Sequence, residues 1–154
     1  MAVFMGQMGV VLCFGLAAMG SSLGIWAAGR AAAGAWAREA RAGSRLWFNY
    51  IIFVGAPITQ TFYAMVVMSQ MAKVLANPAL VAQNGGLLLG IGIATGLGEW
   101  FSAWGQGLVG AAACRMLSEG EHKGLAFLLI AIGIIESVGV FTMVFMLGML
   151  PKVA

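Results

Sequence analysis

The chain has 154 residues, of which 62% are hydrophobic and only 8% charged, with a formal net charge of +3. A water-soluble domain of this size needs far more polar surface, so the composition places the chain in the membrane class. The basic residues are few and lie between apolar runs, which excludes a nucleic-acid-binding surface.

Four apolar runs follow one another. Phe4–Gly29 opens the first predicted helix, over about 4–40. The start "MAVFMGQMGVVL" has no basic region ahead of it and the run is too long for a signal-peptide core, so it is read as a retained helix. Leu46–Ala72 carries no charge and predicts a helix over about 46–76. Gly86–Cys114, with Glu99 inside it, predicts a third over about 84–117. Gly124–Pro151, with Glu136 inside it, predicts a fourth over about 123–150. Each run exceeds the ~20 residues that cross a bilayer core as a helix. In lipid the backbone must satisfy its own hydrogen bonds, so the predicted fold is all-α with four transmembrane helices. They pair as two tandem hairpins, residues 1–76 and 77–154.

Loop charges predict the orientation. Arg30, Arg38, Arg41 and Arg45 surround the first connection and Arg115 and Lys123 the third, whereas Lys73 and Lys152 lie on the opposite side. This asymmetry places the first and third loops in the cytoplasm and both termini outside. Both hairpins then turn on the same side, so the repeat is parallel rather than inverted. Helices one and three carry small-residue pairs, "GSSLG" at 20–24, "GLLLG" at 86–90 and "GIATG" at 92–96. Such pairs let helices approach closely, predicting a tight inner layer with the bulkier helices two and four facing lipid. A unit with one narrow and one wide layer closes into a ring with copies of itself.

The chemistry concentrates in "APITQTFYA", residues 56–64. Ala56, Thr59, Gln60 and Tyr63 recur at helical spacing on one face. Pro57 lacks an N–H, so a carbonyl one turn earlier loses its partner and the kink can expose neighbouring carbonyls such as that of Ala56. Gln60 lies 15 residues beyond Arg45, Glu136 lies 13 beyond Lys123, and Gln106 lies 9 before Arg115. At ~1.5 Å per residue these depths are roughly 14–22 Å, so the three groups can meet at one level of the membrane. A carboxylate there is costly unless protonated, paired or bound to a cation, and no Lys or Arg shares its depth. One carboxylate among neutral oxygens suits a hard monovalent cation such as Na⁺, whereas a proton needs only Glu136 and a hydrogen-bond donor. Glu99 lies on the Gln106 face, ~10 Å nearer the outside. It could line a hydrated cavity, serve a second ion step, face a ring lumen, or be a protonated packing acid.

Cys13 and Cys114 read as small packing residues and the five tryptophans as packing or interface anchors. His122 reads as a solvated loop residue. No phosphate loop, nucleophile–base set or Cys/His metal spacing is present, so the chain is not expected to be catalytic by itself.

These residues carry a resemblance. "PITQTFY" at 57–63, "FSAWGQG" at 101–107 and "ES" at 136–137 resemble, in order, spacing and topology, three segments of the duplicated-hairpin proteolipid of V-type rotary ATPases. Within that family the chain is most similar to the K subunit of bacterial sodium-pumping members. The resemblance implies a homo-oligomeric rotor ring in a prokaryotic plasma membrane. It also implies Na⁺ (or H⁺) as the transported ion, with ligands from Glu136, Gln60, Gln106, Thr59 and the Ala56 carbonyl. Tyr63 would steady Glu136 through a hydrogen bond. The implied partners are ring copies, a stator membrane subunit supplying an arginine, central-stalk subunits at the cytoplasmic loops, and the lipid bilayer. The sequence departs from the family pattern at Glu99, where no acid is expected, and at Ala56, where the family residue is bulkier. Outside the resemblance, the alternatives are a small four-helix cation-coupled exporter and a structural membrane protein.

Overall fold

The computed structural model describes residues 1–152; positions 153 and 154, the end of the second predicted hairpin, lie outside them. Helix α1 spans Ala2–Arg41. The second membrane span begins as α2 (Tyr50–Gly55), tightens into a 3₁₀ turn over Ala56–Ile58 and continues as α3 (Thr59–Leu75). Helices α4 (Pro78–Glu119) and α5 (Leu125–Gly148) complete the chain. All four spans are long and apolar enough to cross a membrane.

The break in the second span lies at Pro57, whose ring removes a helix donor. The Pro57 carbonyl accepts from a side chain of another helix, Ser21 Oγ on α1, at 2.6 Å. Thr61 donates in turn to Ser21 Oγ at 2.7 Å, so a short hydroxyl chain ties α1 to the kink. The Ala56 carbonyl, expected to be exposed, instead accepts from both the backbone N–H and the hydroxyl of Thr59, the latter at 2.9 Å.

Helix α4 starts six residues before its predicted edge. Asn77 accepts from the Ala79 and Leu80 amides at 3.1 and 3.2 Å, and Pro78 occupies the first turn, where its missing N–H costs nothing. The α1–α4 contact is the most extensive in the molecule and is made by small residues. A methyl at Gly92 would strike the backbone of Gly9, and one at Gly107 the backbone of Gly24, so the two helices touch main chain to main chain. Of the three predicted small-residue pairs, 20–24 and 92–96 lie in this contact. The third does not: Gly86 only abuts the Met5 methyl, and Gly90 has open space around it. Gly85 is the residue from that stretch that meets α1, because the contact face recurs every seven residues and 85, not 86, is in phase with 92.

Helix α5 forms the outer side, with Phe127, Ile130, Ile134, Phe141 and Phe145 exposed. Two apolar cores fill the molecule, one around Cys13, Val67, Met71 and Leu88, the other around Tyr50, Phe53, Ala113 and Leu117. Both cysteines are buried and free.

At the first and third loops the structure corrects the reading of His122. Its Nε2 lies 2.9 Å from Glu39 Oε1, and its ring stacks on Trp47 with centroids 4.3 Å apart. Glu39 is buried at the end of α1, where Tyr50 Oη donates to Oε1 at 2.5 Å and the Trp47 amide to Oε2 at 2.8 Å. Trp36 Nε1 donates to the Trp47 carbonyl at 2.8 Å. The loops of the two hairpins are thereby locked together through one carboxylate.

Candidate ion-binding site

The second span, α4 and α5 converge at mid-membrane. Ser102 Oγ donates to the Ile135 carbonyl at 2.9 Å, which sets Ser102 level with Glu136 on the antiparallel neighbour. Glu99 and Gln106 then flank that level, each about one helical turn (~5 Å) away along α4.

Glu136 is half-buried on α5. Tyr63 Oη donates to its Oε1 at 2.7 Å across the α3–α5 contact. On α3, Gln60 Nε2 reaches Thr59 Oγ1 at 3.5 Å, and Thr59 Oγ1 donates to the Ala56 carbonyl at 2.9 Å. The structure therefore joins Tyr63 to Glu136, and Ala56, Thr59 and Gln60 to one another. It does not bring Gln106 into a hydrogen bond: both of its amide atoms are buried without a partner among the described residues. Gln60 Oε1 is also buried and unpartnered.

Glu99, which the sequence leaves outside the site, is wholly buried, and neither carboxylate oxygen has a partner among the described residues. Its Oε2 and Gln60 Oε1 crowd the same spot on α5: a methyl at Gly139 would collide with both. Gly139 lies three residues beyond Glu136, so its missing side chain admits two oxygens one turn from Glu136 on α5. Its seven-residue spacing from Gln106 puts both on one face of α4, but the spacing does not show that this face turns toward Gln60 and α5.

The arrangement is chemically specific. Among the described residues no three His, Cys, Asp or Glu side chains converge, so these ligands are not of the kind that transition metals prefer. The groups present are the Glu136 carboxylate with the Tyr63 phenol, the Thr59 hydroxyl with Gln60, and Gln60 Oε1 with Glu99 Oε2 at Gly139, all hard oxygen groups.

The family model for the ATP synthase C subunit matches residues 8–71 and 89–149, one copy in each half of the chain. The chain belongs to the ATP synthase C-subunit family. A search of the curated proteins found no match. Proteins of this family form the ion-translocating membrane ring of rotary ATPases and are not catalytic themselves. Four apolar helices carrying two copies of the family repeat make this chain a duplicated-hairpin, multi-pass member. Membership removes the small exporter and the structural membrane protein as readings of Glu136.

Proposed function

We propose that this ring protein is the K-type proteolipid of a bacterial V-type ATPase and carries Na⁺ across the plasma membrane on Glu136. The observation that carries the reading is the Tyr63–Glu136 hydrogen bond of 2.7 Å on a half-buried carboxylate, with the Gln60 carbonyl and the Gln106 amide left unpartnered on the neighbouring helices. Gln60, Gln106, Thr59 and the Ala56 carbonyl are the further ligands in this reading, each replacing part of the ion's hydration shell. Thr59 would turn its hydroxyl from Ala56 toward the ion, and Gln106 would find there the partner it lacks within the protomer.

The mechanism follows from exposure. Glu136 sits on the outer helix, where a ring neighbour covers it with Na⁺ bound and the negative charge cancelled. Opposite the stator an arginine displaces the ion by pairing with the carboxylate. Tyr63 releases Glu136 as the ion leaves and latches it again when the next ion enters. The first and third loops, held as one body by Glu39, face the cytoplasm and meet the central stalk. Each hairpin, 1–76 and 77–154, acts as one repeat, but only the second brings an acid to the outer helix. Four helices thus move one ion, which favours ATP-driven pumping against a steep gradient.

The test is ATP-driven ²²Na⁺ uptake by the reconstituted complex. Uptake that persists with a protonophore and is abolished by Glu136→Gln supports the reading. Uptake that collapses with the protonophore, together with ATP-driven acidification, assigns the ring to H⁺ instead.

A further inference from the structure

Glu99 poses a problem that the transport site does not solve. It is fully buried between α4, α5 and the second span, with both carboxylate oxygens unpartnered among the described residues. No Lys or Arg occurs in 46–72, 86–114 or 124–151, so no basic side chain at this depth can neutralise it. A buried carboxylate without a counter-charge costs several kcal/mol, which selects for a bound cation or a permanent proton.

The neighbours favour a cation. Gln60 Oε1 is buried without a donor and crowds Gly139 alongside Glu99 Oε2. Thr95 Oγ1, one turn before Glu99 on the same face of α4, is likewise buried and unpartnered. A protonated Glu99 would have one O–H to give, with Gln60 Oε1 close by to accept it, leaving its other oxygen without a donor and the Thr95 hydroxyl with only the Cys13 thiol beside it. A cation would be met by the carboxylate, the amide carbonyl and the hydroxyl together.

We infer that Glu99, Gln60 and Thr95 form a second, inner Na⁺ site in each protomer, resident rather than transported. Glu136 is half-buried on the outer helix, within reach of a stator arginine; Glu99 is sealed behind α5 and the second span and is not. The inner ion stays through the rotary cycle and fixes Gln60, whose one carbonyl would bridge the inner and the transported ion. The inference rests on the proposed Na⁺ chemistry of this membrane level and adds a binding position to it.

The experiment is equilibrium ²²Na⁺ binding to purified, detergent-solubilised rings of wild type, Glu136→Gln, Glu99→Gln and the double variant, with infrared spectra of the same samples. Expected are two Na⁺ per protomer in wild type, one in each single variant and none in the double variant. One Na⁺ in wild type and none in Glu136→Gln overturns the inner site while leaving the transport reading intact. A carboxylic-acid C=O band in wild type that vanishes in Glu99→Gln also overturns the inner site, by showing a resident proton. No Na⁺ on wild-type rings overturns both. If Glu99→Gln rings do not assemble, Thr95→Val in the Glu136→Gln background takes its place. A loss of affinity of about tenfold is then expected for one lost oxygen ligand, and unchanged affinity overturns the site.

Discussion

Two buried acids in this chain are treated in opposite ways. Glu39, at the end of α1, has every near neighbour it needs: Tyr50 and the Trp47 amide donate to it, and His122 lies at 2.9 Å. Glu99, at mid-membrane, has none among the described residues, and Gln60 Oε1 beside it, Thr95 Oγ1 one turn before it and Gln106 two turns beyond it on α4 share that lack. Buried polar groups are normally hydrogen-bonded, and one left without a partner is expensive. The contrast therefore divides structure from function. The satisfied cluster holds two loops together; the unsatisfied one is the cluster proposed to take an ion.

That division can be broken by mutation. The largest effect is expected at Glu136→Gln, which removes the half-buried acid proposed to carry the ion and should abolish ATP-driven Na⁺ uptake while rings still assemble. Gln60→Leu should weaken Na⁺ binding by about 30–100-fold, as expected for losing an oxygen that serves a charged partner, yet leave the thermal stability of Na⁺-free rings unchanged or higher. If those rings instead melt lower without Na⁺, Gln60 is a structural residue and the contrast fails. Glu39→Ala should do the reverse. It strands Tyr50, the Trp47 amide and His122, and should cost about 3 kcal/mol in denaturant unfolding of the protomer, with Na⁺ affinity changed less than about twofold. Tyr63→Phe removes one hydrogen bond to Glu136 and should weaken Na⁺ binding by about 3–10-fold. Smallest of all, Arg38→Ala breaks a solvent-exposed pair with Glu119 at 3.4 Å, and unfolding should shift by less than about 0.5 kcal/mol.

The same contrast shows what a sequence can disclose. The four spans are legible because charge is missing from them, and a bilayer forbids charge so strongly that its absence suffices. Counting residues from the flanking arginines and lysines brings Gln60, Gln106 and Glu136 toward one depth, but the hydrogen bond the structure makes to Glu136 comes from Tyr63, one turn beyond Gln60. Depth along a helix is a simple count; rotation about its axis is not. The glycine-rich α4 is apolar nearly all round, so nothing in its periodicity says that Glu99 and Gln106 turn inward, or that Gly85 rather than Gly86 meets α1. Loop partnerships are less legible again. Glu39 and His122 are 83 residues apart and meet only because two hairpins pack side by side. The early start of α4, in contrast, is signalled by Asn77 followed by Pro78, a capping pattern that hydropathy alone passes over.

Carbodiimide labelling of Glu136 in membranes at constant pH, with and without Na⁺, separates a sodium carrier from a proton carrier. Na⁺ alone should protect Glu136, because the cation occupies the carboxylate that the reagent must reach in its protonated form. Labelling that is indifferent to Na⁺ and falls only as the pH is raised would contradict it, and would make Glu136 a proton carrier.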